Sequence, residues 1–130
     1  MIVVDASVLL ELLLRTPSAK TAEGRLFASR ETLHAPHLLD LEVAQVLRRY
    51  AASGAVPAER GAMALADLAD FPVRRYAHYV FLPRIWELRA NLTAYDAAYV
   101  ALAEALDARL LTRDGRLARA RGHHARIELL

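Results

Sequence analysis

Four acidic residues occupy positions where carboxylates can do chemistry. Asp5 and Asp114 each stand at or just past the end of a short apolar run that is typical of a buried strand, and Glu42 and Asp96 each fall in the first turns of a predicted helix. Two unit charges about 5 Å apart repel by on the order of 3 kcal/mol at an effective dielectric near 20, so converging carboxylates must hold protons or bind a cation.

The absence of cysteine restricts any metal here to oxygen or imidazole ligands. An all-carboxylate set suits Mg²⁺ or Mn²⁺, which keep several waters and accept phosphate oxygens from a substrate. Such an ion polarises a phosphodiester and lowers the pKa of an attacking water. The chemistry that the four acids favour is therefore phosphodiester hydrolysis.

Each acid also has a plain structural interpretation. Asp5 and Asp114 could cap the helices that follow them, and Thr93-x-x-Asp96 matches a capping box. Glu42 has no base four residues on, and it borders the apolar stripe of its helix, which is a poor place for a merely solvated charge. Capping and metal binding are compatible, because a capping carboxylate at a helix N-terminus can also bind an ion.

The elements that would position these acids alternate between short strands and longer helices. The predicted strands are Ile2–Val4, Leu33–Ala35, Val73–Tyr76, Arg109–Thr112 and Ile127–Leu130. The predicted helices cover 6–14, a segment starting near Ser18, 38–53, 57–70, 83–89, 93–107 and 115–120. Such alternation implies parallel pairing through right-handed crossovers, so the predicted class is α/β with helices on both faces of the sheet.

Open sheets of this class bind ligands beyond the carboxyl ends of the strands, at the point where the winding reverses. Asp5 and Asp114 would flank that point if the sheet winds one way from the first strand and the other way through the fourth. The sheet edge is therefore where we expect the acids to meet.

Length and composition indicate one domain spanning residues 1–130. The chain has 55% hydrophobic residues and a net charge of +2, a mild excess that permits a nucleic-acid partner. No signal peptide is visible, and no apolar run is long enough to span a bilayer, which predicts a soluble cytoplasmic protein.

Other enzyme classes with related folds fit poorly. Phosphoaspartate enzymes such as haloacid-dehalogenase-like phosphatases need a lysine near a late strand, and the only lysine of the chain is Lys20. Neither GxxxxGK[ST] nor GxGxxG is present, which argues against P-loop and dinucleotide-binding proteins.

The acid-bearing segments together resemble the PIN-domain nucleases, and most closely the VapC toxins of type II toxin–antitoxin pairs. The matching pieces cover essentially the whole chain: Val3-Val4-Asp5-Ala6-Ser7, Leu41-Glu42-Val43, the segment from Leu92 to Ala103 that contains Tyr95-Asp96, and Leu110-Leu111-Thr112-Arg113-Asp114.

This resemblance implies a three-layer fold with a five-stranded parallel sheet in the order 3-2-1-4-5. It implies an acidic Mg²⁺ site, with Mn²⁺ as a substitute, formed by Asp5, Glu42, Asp96 and Asp114, and a metal-dependent endoribonuclease activity. A further acid is common in this family shortly after the fourth one. Here Gly115-Arg116-Leu117 follows instead, so the choice between one and two metal ions stays open.

Hydroxyl and arginine side chains near the acids have expected supporting roles. The resemblance implies that Ser7 and Thr112 support the site through hydrogen bonds to a carboxylate or to a water on the metal. Arg113 and Arg116 begin the densest basic stretch and are candidates for phosphate contacts, with a solvated helix face as the alternative.

The resemblance also implies partners: an RNA substrate, a VapB-type antitoxin that blocks the acidic groove, and a second copy of the chain in a homodimer. The alternative function is a catalytically inactive PIN-like module that binds RNA or protein. Elsewhere, Glu11 has Arg15 four residues on, and the pair is expected to form a surface ion pair.

Overall fold

Five parallel strands form one sheet in the order β3-β2-β1-β4-β5. The computed structural model of the chain describes residues 1–130. The strands are β1 (Ile2–Val4), β2 (Leu33–Pro36), β3 (Val73–Tyr76), β4 (Arg109–Thr112) and β5 (Arg126–Leu129). The predicted α/β class and strand order are confirmed.

Seven α-helices flank this sheet and connect its strands. They are α1 (Ala6–Leu13), α2 (Ala19–Phe27), α3 (Leu38–Ser53), α4 (Ala58–Asp70), α5 (Leu82–Glu87), α6 (Ala94–Leu106) and α7 (Gly115–Ala118). No helix of the chain combines the length and the hydropathy needed to cross a membrane.

The central strand β1 is where the winding reverses. It pairs with β2 on one side and β4 on the other, so that Val3 lies beside both His34 and Leu110. All three residues of β1 are fully buried, as expected for a parallel strand covered by helices. Asp5 follows β1 directly and therefore stands at the middle of the carboxyl edge, where the α/β rule places ligands.

Local signals in the sequence determine where the two site-bearing helices begin and end. Gly54, with φ of 77°, ends α3 in the left-handed conformation that glycine adopts readily. Thr93 starts α6 by accepting a hydrogen bond from the Asp96 N–H, and Asp107, with φ of 47°, ends the helix. The observed ends of α3 and α6 agree with the predicted helix boundaries to within one residue.

The structure differs from the prediction at several element ends. Helix α1 is one residue shorter than predicted, β2 is one residue longer, and α5 runs from Leu82 to Glu87 rather than from 83 to 89. A 3₁₀ turn over Tyr79–Phe81 precedes α5 and was not predicted, since it has no hydrophobic period of its own. Helix α7 ends at Ala118 rather than at residue 120. Strand β5 runs from Arg126 to Leu129 rather than from 127 to 130, because it pairs in register with the four residues of β4.

Candidate active site

Asp5 is the most enclosed of the four acids. Its side chain is 7% exposed, and one carboxylate oxygen, Oδ1, accepts hydrogen bonds from the Ser7 hydroxyl at 2.5 Å and the Val8 N–H at 3.3 Å. The other oxygen, Oδ2, accepts from the Thr112 hydroxyl. Burial raises the pKa of Asp5, and the hydroxyl donors oppose that rise by stabilising the charged form. Asp5 thus caps α1, as one interpretation held, and also faces the predicted site.

The hydroxyls of Ser7 and Thr112 each connect Asp5 to the loop that follows β4. Ser7 Oγ accepts a hydrogen bond from the Arg113 N–H at 2.9 Å, and Thr112 Oγ1 accepts one from the Asp114 N–H at 2.9 Å. Each hydroxyl donates a hydrogen bond to the Asp5 carboxylate and accepts one from a backbone N–H of the loop. The Asp114 segment is therefore held against the N-terminal end of α1.

Glu42, in the second turn of α3, is half-buried and faces the other acids. Its Oε1 accepts a hydrogen bond from the hydroxyl of Tyr99 at 2.6 Å. Burial raises the pKa of Glu42, and the charges of Asp96 and Asp5 raise it further. No cation pairs with this carboxylate, and Oε2 has no hydrogen-bond donor within the chain.

Asp96 lies in the first turn of α6 with its carboxylate half-buried. Its N–H donates to the Thr93 hydroxyl at 3.1 Å, but the return bond from the Thr93 N–H that would complete a capping box is absent. Burial raises the pKa of Asp96 and the charge of Asp114 adds to the rise, whereas a side-chain hydrogen bond with Thr93 and the charge of Arg116 lower it. The carboxylate faces the site beside Asp114.

Asp114 caps α7 and lies opposite Asp96. It accepts the Arg116 N–H at 2.8 Å, and the Arg116 guanidinium Nε lies 3.7 Å from the same oxygen. The two acids line one small cavity of about 210 Å³, together with Asn91, Thr93 and Arg116. Arg116 therefore lies beside Asp114, in the segment where the family resemblance had implied a further acid.

The four acids form an electrostatic series along one edge of the sheet. The charges of Asp5 and Asp96 both act on Glu42, and that of Asp114 acts on Asp96. No three Asp, Glu or His side chains are arranged so that they could hold one ion together directly. Mg²⁺ usually takes one or two carboxylates and fills its other positions with water and substrate phosphate, so this donor set fits that ion.

The two predicted phosphate-binding arginines differ in their freedom. The Arg113 guanidinium lies 3.4 Å from Glu11, whereas the Arg116 side chain is 90% exposed. The expected Glu11–Arg15 pair is wrong. Helix α1 ends at Leu13, and Arg15 adopts a left-handed φ of 52°, which removes the helical geometry that an i,i+4 pair needs.

Sequence reasoning missed the part played by Tyr99. This side chain is fully buried in α6 and reaches across to Glu42, 57 residues away in the chain. A signal was present, because Tyr99 lies three residues after Asp96 on the same face of an alanine-rich helix, and a buried tyrosine hydroxyl needs a partner. What the sequence does not show is which acid provides the acceptor.

The fold and the site define a doubly wound α/β protein with a carboxylate-rich edge at its topological switch point. A family model described as the PIN domain matches residues 2–123. The chain belongs to the PIN-domain family and, within it, to the VapC type.

Relatives and solved structures agree with this assignment. The chain is 42% identical to Ribonuclease VapC12 of Mycobacterium tuberculosis over 100% of this chain and 99% of that protein. It is 48% identical to Ribonuclease VapC9 of the same organism over 90% of this chain and 88% of that protein. PAE2754 from Pyrobaculum aerophilum matches with a TM-score of 0.68 and 29% identity over 97% of this chain and 82% of that one.

A further solved structure shares the fold at low sequence identity. VapBC2 from Rickettsia felis, in a crystal structure bound to a DNA fragment from its promoter, gives a TM-score of 0.70 at 16% identity, over 99% of this chain and 98% of that one.

Proposed function

We propose that this protein is a Mg²⁺-dependent endoribonuclease that acts as the toxin of a type II toxin–antitoxin pair. The observation that carries the proposal is the series of four half-buried or buried carboxylates at the switch point. Burial raises the pKa of Asp5, and burial together with neighbouring acids raises the pKa values of Glu42 and Asp96. Only Asp114 has an arginine, the exposed Arg116, beside it, and no cation pairs with the carboxylates of Asp5 or Glu42, so the group favours a divalent ion. The ribonuclease names of the VapC relatives support RNA as the substrate.

The acids divide the work according to their surroundings. Asp5 and Asp96 are the principal ligands in this proposal, with Glu42 and Asp114 completing the site directly or through water. When bound, Mg²⁺ or Mn²⁺ polarises the phosphodiester and lowers the pKa of the attacking water. The expected products carry a 5′-phosphate and a 3′-hydroxyl.

The hydroxyl donors around Asp5 fix the direction in which its carboxylate points. Ser7 and Thr112 stabilise the ionised form that a cation needs, against the cost of burial. Glu42 uses Oε1 for the Tyr99 hydroxyl, which leaves Oε2 to orient a water and accept its proton. Arg116, and Arg113 from its place beside Glu11, supply positive charge for the RNA backbone.

The proposed biological setting includes two protein partners. A VapB-type antitoxin would inhibit by covering the acidic edge, and the likeness to the VapBC2 complex supports a partner of this type. A second copy of the chain would complete a homodimer in the cytoplasm. Co-expression with a candidate antitoxin, sought as a short reading frame next to this gene, tests the first partner, and light scattering at micromolar concentration tests the second.

Cleavage of total RNA tests the enzymatic proposal directly. The wild-type protein is expected to cut RNA at defined sites with Mg²⁺ and to stop in EDTA. Asp5→Asn and Asp96→Asn should lose at least about 100-fold of the rate while circular dichroism shows an intact fold. Asp67→Asn, which alters an exposed acid of α4, is the matched control and should cleave normally. Undiminished cleavage by either site variant would contradict the mechanism, and RNA binding without cleavage would favour the inactive binding module.

A further inference from the structure

A groove between α1 and α3 extends away from the acidic site. It has a volume of about 630 Å³, and Tyr95 of α6 closes one end. We call it the α1–α3 groove. The side chains that define it are Leu10, Leu41, Gln45, Arg49, Tyr50 and Tyr95.

The α1–α3 groove is continuous with the candidate active site. Glu42 and Ser7 line both, and Tyr95 immediately precedes Asp96. A polymer whose phosphodiester lies against the acids must continue on at least one side of that bond. The groove offers such a path, because Ser7 and Glu42 of the candidate site form part of its lining.

Aromatic rings with free faces occupy the groove. Tyr95 is 66% exposed and Tyr50 is 39% exposed, and neither hydroxyl makes a hydrogen bond within the chain. Exposed tyrosine rings next to a nucleic-acid site are suited to stacking on unpaired bases, and the neighbouring Gln45 amide offers both a donor and an acceptor to a base edge.

The only cation in the groove, Arg49, has no partner within the chain. It forms no ion pair or hydrogen bond, unlike Arg75, Arg84 and Arg113, which are each paired with a carboxylate. Arg49 lies two helical turns beyond Glu42, about 10 Å along the α3 axis. An unpaired guanidinium at this distance complements a phosphate further along an RNA strand.

We propose that the α1–α3 groove is a nucleotide subsite. It holds the unpaired nucleotide next to the scissile bond, with its base stacked on Tyr95 and the adjoining phosphate on Arg49. This inference rests on the proposed ribonuclease function and adds to it the part of the chain that selects the RNA sequence. A single strand is required, because only an unpaired base exposes its face to a tyrosine ring.

Base removal at single positions tests the subsite. A cleavage site mapped on total RNA is copied into a short synthetic RNA, and two analogues carry an abasic ribose on one or the other side of the cut bond. Values of kcat and KM are measured for wild type, Tyr95→Ala and Tyr95→Phe on all three RNAs. Arg49→Gln is measured on the intact RNA. The matched controls are Tyr79→Ala, which alters an exposed tyrosine outside the groove, and Arg48→Gln, which alters the arginine next to Arg49.

The subsite predicts coupling between ring and base. For the wild-type enzyme, one abasic analogue should have a kcat/KM about tenfold lower than the intact RNA, which is the loss that about 1.4 kcal/mol of stacking produces. Most of this loss should come from a higher KM. Tyr95→Ala should lose the same factor on the intact RNA and then fail to distinguish it from that analogue, while Tyr95→Phe restores the difference. Arg49→Gln should raise KM several-fold, and Arg48→Gln should leave it unchanged.

Three results would overturn the inference. In the first, neither abasic analogue differs from the intact RNA for the wild-type enzyme. In the second, the factor by which Tyr95→Ala lowers kcat/KM multiplies with the factor by which base removal lowers it, which means that the tyrosine ring and the base are not in contact. In the third, Tyr95→Ala and Arg49→Gln cleave normally but lose binding to the co-expressed candidate antitoxin, which assigns the groove to a protein segment. Absence of any RNA cleavage by the wild type is a different outcome, because it removes the proposed function itself.

Discussion

Neutralising Glu42 is expected to make the metal-free protein more stable while damaging its activity. Glu42→Gln keeps the shape of the side chain and an oxygen that can still accept the Tyr99 hydroxyl bond. It removes a charge that burial and the neighbouring Asp5 and Asp96 disfavour. Because no cation pairs with Glu42, the substitution breaks no ion pair.

Burial is the largest cause of the raised pKa of Glu42, and the repulsions from Asp96 and Asp5 add to it. The repulsions alone give a lower bound on the size of the effect. Two charges about 8 Å apart repel by about 2 kcal/mol at an effective dielectric near 20, and physiological salt screens that to less than half. With two acidic neighbours and a half-exposed side chain, Glu42→Gln should gain about 1 kcal/mol at neutral pH. For a domain of this length, that gain corresponds to a rise in Tm of about 4 °C.

The pH dependence of this gain has a definite sign. The pKa of Glu42 is higher in the folded protein than its unfolded value of 4.5, so the folded state carries no penalty when both states are protonated. The penalty grows as pH rises from that value through the folded pKa and is then constant. The stability gap between Glu42→Gln and wild type should therefore be near zero at about pH 4 and full at about pH 7.5.

Urea unfolding in EDTA across this pH range measures the gap. Glu23→Gln, which neutralises an exposed glutamate of α2, is the matched control and should change stability by less than about 0.5 kcal/mol at any pH. Mg²⁺ should then stabilise the wild type more than Glu42→Gln, because the ion relieves the same repulsion. A variant less stable than wild type at pH 7.5, or a gap equally large at pH 4, would refute the electrostatic reasoning.

Three further predictions concern the supports of the site and of the fold. Thr112→Val should cost about 1–3 kcal/mol at neutral pH in urea unfolding, because the buried carboxylate of Asp5 loses a hydroxyl donor; an unchanged midpoint would contradict that support. Tyr99→Phe should lower kcat for RNA cleavage by about tenfold with KM little changed, since Glu42 loses its only donor, and equal kinetics would show that the hydroxyl is dispensable. Arg84→Leu should destabilise the fold by about 1–2 kcal/mol at pH 7 and less in acid, because Arg84 lowers the pKa of Glu104 and this contribution is lost as pH falls through that lowered pKa; a loss that grows in acid would exclude this ion pair as its source.

The positions of the acids along the chain were predictable because strong local signals surround them. A β-branched run that ends in Asp5 and an apolar run followed by Asp114 define strand ends, and strand ends of a parallel sheet meet at one edge. Gly54 and Thr93 likewise define the ends of α3 and α6. The strand order followed from the resemblance to PIN-domain proteins rather than from the periodicity of the chain.

Contacts between distant segments were not predictable in the same way. Glu11 pairs with Arg113 and not with Arg15 as predicted, because Arg15 lies in the turn after α1, outside helical geometry. The hydroxyl of Tyr99 reaches Glu42 only once α6 packs over strands β1 and β2. Such pairings depend on the placement of whole helices, and no local pattern encodes that placement.

The bond between the Thr112 hydroxyl and Asp5 joins residues 107 positions apart, and this separation has a consequence during synthesis. A ribosome adding about 5 to 20 residues per second takes roughly 5 to 20 s to make the intervening chain. Until β4 emerges, β1 lacks its neighbour on one side and Asp5 lacks the loop that holds it. An incomplete chain therefore has no assembled acidic edge, so the proposed nuclease site forms only when translation is nearly finished.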